Sequence, residues 1–514
     1  MKNTLVKLVS RARMALLGGA LIVGLSSVAL SWHVMASNGP KISRVALTVD
    51  DRPLTRSSNG TPTMSFAPVV KTVAPSVVKI TVTSVPKDMP DDSSNPSEDF
   101  LRRFFGQMPQ QQVPDHQFGG RGMRAPHEYG LGSGVIVNKD GYILTNNHVV
   151  EGADTIKVTL NDGREFTAKV IGRDPKSDVA VIKIDAKDLP YLKIGDSDKL
   201  EVGDLCLAVG NPFGIGQTVT MGIISAKGRG DLEMGTEYED FIQTDAAINP
   251  GNSGGALVDS DGRLIGINTA ILSRSGGYQG IGFAVPINMA RHVMEGLIAH
   301  GKVIRGFLGV SIQDVTPELA DEFKLADQRG ALVGDVVPHD PAEKAGIKSG
   351  DVIVAFNDHS VDDSRHLRLM VADTDPGTTV PLKLIRNGHE KKLTVTVMEL
   401  PGTPEEASAT PDNDSNSSSL NGVTVSDIDS QAVQQLNLPT DLKGAVVTQV
   451  DENSAAYDAG LRAGDVIEEI NRKTVGSADD AVKLTDHVKD KVLLLKIWSK
   501  GASHFMVVDE SKSK

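Results

Sequence analysis

The chain has 514 residues, 39% hydrophobic and 23% charged, with 51 glycines, only 4% aromatic residues and a formal net charge of −13. That length implies several domains of roughly 100–200 residues, and a Gly-rich, aromatic-poor makeup favours β structure with many turns over helical bundles. The acidic balance argues against the concentrated basic face that nucleic-acid binding needs, and a single cysteine, Cys206, excludes an intrachain disulfide.

In chain order, residues 1–36 carry Lys2, Lys7, Arg11 and Arg13, then an apolar run from Met14 to Leu30, then "VMA" ending in the small Ala36. This pattern reads as an export signal cleaved after Ala36, with an uncleaved membrane anchor as the alternative. Residues 37–65 are polar and aperiodic, a mature N-terminal arm. A short helix and the alternating strand "VVKITVTS" then open an ordered domain over 66–302. Within it, 86–127 lacks periodicity yet holds Phe100, Phe104, Phe105 and Phe118, so it is expected to be a regulatory or intersubunit loop.

From 131 to 286, short β-branched runs alternate with the turn signals "KDG", "NDG" and "SDG", as in antiparallel barrels or a sandwich. The amphipathic stretch "PINMARHVMEGLIAHG" closes this unit as a helix ending at Gly301. Beyond it the text repeats: "AGIKSGDVI" at 345–353 recurs as "AGLRAGDVI" at 459–467. Two copies of one small domain, 303–401 and 419–514, are thus expected around the Pro/Ser/Asp-rich linker 402–418.

Chemistry concentrates at "DAAINPGNSGGALV", 245–258. A phosphate cradle would continue with Gly-Lys-Ser/Thr, but here no lysine follows. Glycines around Ser253 let backbone N–H groups of Gly251 and Ser253 point at a ligand, the geometry of an oxyanion hole. A serine hydroxyl needs a base to act as nucleophile. Of twelve histidines, His148 stands apart: it ends the strand "YILTNNHVV", where the apolar run gives way to polar residues. A carboxylate should orient it; Asp178, just before the apolar "VAVIKI", is well placed, with Asp174, Asp185 and Asp204 as rivals on composition alone. No metal-ligand cluster stands out, so no metal or cofactor is expected, and without a Walker-type "GKS/T" none that carries ATP.

"TNNHVVEGA", "DPKSDVAVIKI" and "GNSGGALVDSDGRLIGINTAI" resemble the three catalytic motifs of the HtrA/DegP family of chymotrypsin-like serine endoproteases, in the chain order His, Asp, Ser. The resemblance runs from about residue 66 to the end. It implies a mainly β fold, a chymotrypsin-like double β-barrel followed by two PDZ domains. It also implies His148 as base then acid, Asp178 as its orienting carboxylate, Ser253 as nucleophile, and Gly251 and Ser253 as oxyanion donors.

Further implications concern recognition and control. Asn268, Ile271 and Leu272 would shape a pocket for small aliphatic side chains. Phe307, Leu308, Gly309 and Val310, and in the second copy Leu420, Asn421, Gly422 and Val423, match the PDZ loop that takes a peptide's C-terminal carboxylate. Arg229, in a sensor loop, would relay activation to the oxyanion loop, itself a switch over Asn249–Asn252. The family implies a periplasmic, ATP-independent protease of unfolded or damaged envelope proteins that also acts as a chaperone, assembled as a homotrimer and as larger oligomers of trimers, with peripheral association to the inner membrane. The alternative is a holdase or scaffold with a vestigial serine site that acts through its PDZ pair.

Overall fold

The computed structural model describes residues 46–52, 65–84, 127–211, 216–230, 232, 236–271, 279–401, 418–420, 422–436, 438–439, 442–486 and 492–512. Residues 1–36, expected to be an export signal, 86–126 of the expected loop 86–127, 402–417 of the expected linker 402–418, Leu272 and Asn421 lie outside them, whereas His127 and Ser418, expected at the ends of that loop and linker, are the first residues of strands. The chain forms two compact units, 1–227 with 242–302, and 228–241 with 303–514.

In the first unit, helix α1 (Ala67–Val73) leads into a closed six-stranded barrel. Its strands are β1 (Val77–Ser84), β2 (His127–Ile136), β3 (Tyr142–Thr145), β4 (Thr155–Thr159), β5 (Glu165–Asp174) and β6 (Val179–Ile184), in the order β1-β2-β3-β6-β5-β4. The period-2 pattern explains the closure: Val78, Ile80 and Val82 of β1 meet Ile143, Val158 and Ile182 in one buried cluster, while Lys79 and Thr81 face outward. Short helix α2 (Asn147–Val150) follows β3.

A second closed barrel has the order β10-β11-β12-β9-β8-β7. It consists of β7 (Leu205–Gly210), β8 (Thr218–Arg229), β9 (Phe241–Thr244), β10 (Ala256–Asp259), β11 (Leu264–Ile271) and β12 (Gly282–Pro286). Helix α3 (Ile287–His300) buries Ile287, Ala290, Val293, Met294 and Leu297 on one stripe, and lies against β5 and β6 of the first barrel and β11 and β12 of the second. It ends where Gly301 takes the left-handed conformation and donates to Leu297 O at 3.0 Å. Part of the N-terminal arm is tethered: Asp50 N–H donates to Ile194 O at 2.9 Å, and Ile194 N–H to Thr48 O at 3.1 Å.

The second unit holds two copies of one small β fold. In the first, β13 (Gly306–Phe307) pairs with β20 (Met398–Glu399). The main sheet runs β14 (Val310–Asp314), β15 (Ala331–Val336), β16 (Val352–Phe356), β18 (Thr379–Arg386), β19 (His389–Thr396), with β17 (His359–Ser360) beside β16. Helices α4 (Pro317–Glu322), α5 (Pro341–Ala345) and α6 (Ser364–Ala372) complete it.

The second copy runs β21 (Ser418–Leu420), β22 (Val423–Asp427), β23 (Ala445–Val450), β24 (Val466–Ile470), β26 (Val492–Ser499), β27 (Ala502–Asp509), with β25 (Lys473–Thr474) beside β24. Its helices are α7 (Ser430–Gln435), α8 (Ala455–Asp458) and α9 (Ala478–Asp486). The copies touch: the Gln313 side chain donates to Phe505 O at 2.9 Å and accepts Phe505 N–H at 2.6 Å, covering part of the β27 edge. The Phe323 ring meets Phe505 edge-on, centroids 5.4 Å apart.

Cys206 lies inside β7, 1% exposed, its sulfur 3.1 Å from Thr244 Oγ1. Burial pushes its thiol up to about 12, so little thiolate forms at pH 8. Iodoacetamide at pH 8 should therefore leave Cys206 of the native chain unlabelled and alkylate one thiol per chain in guanidinium, read by mass spectrometry; rapid native labelling would contradict this burial.

Candidate active site

The expected triad residues come from three different structural contexts. His148 sits in α2, just past β3 of the first barrel, and Asp178 in the turn between β5 and β6. Ser253 occupies the turn that precedes β10 of the second barrel. All three are buried, at 9%, 4% and 4% exposure.

Asp178 and His148 are bound twice. The imidazole Nδ1 lies 2.8 Å from Asp178 Oδ2 and 3.0 Å from Oδ1, and the His148 backbone N–H donates to Oδ1 at 3.0 Å. Because a carboxylate only accepts, Nδ1 carries the proton and the lone pair of the neutral ring falls on Nε2. Asp178 adopts the left-handed backbone (φ 54°). Its carbonyl accepts Asn147 N–H at 3.1 Å and Asn146 Nδ2 at 3.0 Å, which holds the turn against the start of α2. Of the rival aspartates, Asp174 bonds Ser177 instead, and Asp204 accepts Glu201 N–H at 2.8 Å.

Two residues that the motifs did not flag join the barrels at this point. Thr269, on β11, donates its hydroxyl to Asp178 Oδ2 at 2.7 Å, while its carbonyl accepts the Ser253 hydroxyl at 3.0 Å. Since a hydroxyl has one proton, Ser253 in this conformation donates to Thr269 and not to the imidazole. Ser133, on β2, is as central: its N–H donates to Ser253 O at 2.8 Å, its hydroxyl donates to Gly251 O at 2.6 Å and accepts Asn211 N–H at 2.9 Å, and its carbonyl accepts the Thr145 hydroxyl at 2.8 Å. The sequence shows only a hydroxyl residue inside an apolar strand, Ser133 in "GSGVI" and Thr269 in "GINTAI"; that both are buried, at 0% and 1% exposure, emerges from the fold.

The loop over Asn249–Asn252 is an ordered turn, with Asn252 N–H donating to Asn249 O at 2.9 Å. Gly254 has φ 81°, and a Cβ there would lie 2.1 Å from Ser133 O, so only glycine lets the serine turn approach the first barrel. Among the described residues, neither Gly251 N–H nor Ser253 N–H is spent on another backbone carbonyl. Asn268 is fully buried and ties its Nδ2 to Ala256 O at 2.9 Å, and its N–H to Gly255 O at 2.9 Å. It therefore braces the turn from behind. Ile271 is also fully buried at the end of β11, and Leu272 lies outside the described residues.

In the second unit, Gly309 (φ 77°) stands between Leu308, 2% exposed, and Val310, the first residue of β14. Here the sheet ends: among the described residues β14 has a strand partner on one side only, and α6 lies beside it with Leu367 and Met370 packed into the cluster that takes in Val310 and Ile312. Arg229 closes β8, in the stretch 228–241 that belongs to this unit. That stretch is held by two arginines that sequence reading passed over. Arg365 on α6 donates to Glu239 O at 3.2 Å and to Asp240 Oδ1 at 3.0 Å, and the Arg305 guanidinium lies 4.3 Å from the centroid of the Tyr238 ring.

Two closed six-stranded barrels with a His-Asp pair and a serine turn between them define a chymotrypsin-like serine peptidase carrying two PDZ domains. Family models agree, matching a trypsin-like peptidase domain at 132–267 and PDZ domains at 306–397 and 446–499. The chain is 45% identical over 414 residues to a probable periplasmic serine endoprotease DegP-like of Chlamydia trachomatis, covering 80% of this chain and 79% of that protein. It is 42% identical over 492 residues to the counterpart so named in Chlamydia pneumoniae, covering 93% and 95%. A solved HtrA-type protease, AlgW with decapeptide, superposes with a TM-score of 0.52 at 46% identity, covering 66% of this chain and 100% of that one. The chain belongs to the HtrA/DegP family of serine endoproteases.

Thr269→Ala removes one donor from a buried carboxylate, a loss of about 1–3 kcal/mol for a bond to a charged group. It should lower kcat roughly tenfold to a hundredfold on casein with KM unchanged, and Thr269→Ser should restore most of it; full activity in the alanine variant would show that the Thr269 hydroxyl has no positioning role.

Proposed function

We propose that the chain is an ATP-independent periplasmic endoprotease of unfolded or damaged envelope proteins, with chaperone activity toward the same clients. The observation that carries the reading is the Asp178 carboxylate shared by the His148 imidazole and the Thr269 hydroxyl, one from each barrel, above a buried serine. An orienting carboxylate fixed from both sides serves an imidazole that must take up and return a proton.

In the proposed cycle the Ser253 hydroxyl leaves the Thr269 carbonyl by rotation about its side-chain torsion and donates to His148 Nε2. His148 takes the proton as Ser253 Oγ attacks the scissile carbonyl, and Asp178 stabilises the imidazolium without accepting the proton. The N–H groups of Gly251 and Ser253 receive the oxyanion, a contribution of about 3–4 kcal/mol for one such donor in comparable sites. His148 then gives the proton to the leaving amine, and water repeats the sequence in reverse to free Ser253. In this reading Ile271 lies beside the specificity pocket and Asn268, tied to Ala256 O and Gly255 O, supports it from behind, while Leu272, expected to shape it too, lies outside the described residues. Without an acidic floor there, small aliphatic residues are favoured over Lys or Arg.

Substrate capture falls to the first PDZ domain, where the open edge of β14 and the Phe307–Val310 loop accept an extended C-terminal peptide. The stretch 228–241, held by Arg365 and Arg305 against that same domain, is the proposed sensor, with Arg229 at its start. In this reading the protomer works as a homotrimer and as larger oligomers of trimers.

Ser253→Ala should cut kcat on casein by about 10⁶-fold and leave the assembly unchanged, read by size-exclusion mass with and without unfolded substrate. Undiminished hydrolysis by that variant would sink the assignment of the nucleophile; a monomeric mass would overturn the trimer.

A further inference from the structure

The two PDZ copies share the order of their main-sheet strands, yet their outer edges differ. Val310, Ser311 and Ile312 of β14 pair with Val336, Asp335 and Val333, with a bulge between Ser311 and Ile312. Val423, Thr424 and Val425 of β22 pair with Val450, Gln449 and Val447, with a bulge at the same place. The strand and its inner register are thus equivalent. The outer side is not.

In the first copy, the residues leading into the loop turn away. Gly306 and Phe307 pair with Glu399 and Met398, and Leu400 N–H donates to Arg305 O at 2.9 Å. A Cβ on Gly306 would lie 2.1 Å from Val371 O, so the lead strand threads past the end of α6 and leaves β14 with an open edge. In the second copy the lead strand turns back. Ser418, Ser419 and Leu420 pair antiparallel with Val425, Thr424 and Val423, so two residues of the sequence, 421 and 422, separate the paired strands. Asn-Gly is the favoured two-residue hairpin turn, and Gly422 has φ 84° with Ser454 Cβ 2.9 Å from where its own Cβ would be. After β27 the described residues form a 3-10 turn, Glu510–Lys512, and among the described residues β21 pairs with β22 alone.

Helix α9, the counterpart of α6, lies against both β21 and β22. The segment therefore runs between the sheet edge and the helix, where an added strand would bind in a domain of this type, and it runs in the antiparallel sense with Leu420 at the loop. Its sequence, Ser-Ser-Leu, is that of a peptide ending on an aliphatic residue.

We propose that the second PDZ groove is occupied by residues 418–420 of its own chain, so that a C-terminal peptide enters it only by displacing this segment. A free-carboxylate peptide and the hairpin compete for the same row of β22 backbone groups. Being tethered, the hairpin needs no association entropy and holds the groove at rest. The proposal rests on the PDZ fold and is independent of the catalytic assignment.

The test uses full-length Ser253→Ala chains, so that nothing is digested. The pairs flanking a two-residue turn are hydrogen bonded and alternate, which makes Ser418–Val425 the next bonded pair; Ser418→Pro removes its donor. The probe is a fluorescein-labelled free-carboxylate peptide with the sequence of residues 412–420, titrated by anisotropy against both chains. The expected result is one more site per chain in Ser253→Ala/Ser418→Pro than in Ser253→Ala. The increment is read whether or not the first domain binds, so failure of the capture reading (no site in the parent) is distinguishable from failure of this one. Equal stoichiometry in the two chains would overturn it. Hydrogen exchange on the Ser253→Ala chain gives an answer that does not depend on the variant folding: the Val423 and Val425 amides should exchange at least tenfold more slowly than those of Val310 and Ile312, and equal rates would also overturn the proposal.

Discussion

A carboxylate sealed between two barrels is the constraint around which the catalytic unit is arranged. Asp178 is 4% exposed, and an ion withdrawn from water that far costs several kcal/mol unless donors replace its hydration. The donors are the His148 backbone and ring N–H groups from the first barrel and the Thr269 hydroxyl from the second. Each barrel alone would leave the carboxylate short of a partner. The need to satisfy it therefore fixes the ring's tautomer, the start of α2 and the approach of β11 together.

Ser133 performs the complementary task on the serine side. One residue of β2 reaches the carbonyls of both Ser253 and Gly251, so the turn of the second barrel is registered against a rigid strand of the first. The glycines make this approach sterically feasible, as the close Ser133 carbonyl at Gly254 shows. With the backbone so held, the Ser253 hydroxyl donates to the Thr269 carbonyl. A change from this resting contact to a bond with the imidazole is a side-chain rotation, far smaller than refolding a loop, and the ordered turn over Asn249–Asn252 fits such a local step.

The duplicated domains show how one sequence frame can yield two edges. "FLGV" and "LNGV" occupy equivalent positions, and the strands that follow share register and bulge. The difference comes from competition for the preceding residues. In the first copy a later strand pairs with them, and in the second they pair with β22 itself. A pattern match at the loop is blind to this, because the deciding partner lies about ninety residues downstream in the first copy and, among the described residues, has no counterpart in the second.

Period-2 patterning, the turn signals and the internal repeat were enough to announce β barrels followed by two like domains, because those features are local and periodic. The resemblance of "TNNHVV", "KSDVAV" and "GNSGG" to a family's motifs singled out His148, Asp178 and Ser253, where composition alone left Asp174, Asp185 and Asp204 as rivals. What only tertiary structure decided are contacts between distant segments: Thr269 on Asp178, Ser133 on Gly251, Arg365 on Asp240, and β21 on β22. A threonine or serine in a strand has the same local appearance whether it faces solvent or bridges two barrels. Its role is set by which buried acceptor the closed fold brings within hydrogen-bond reach, and that depends on the whole chain at once.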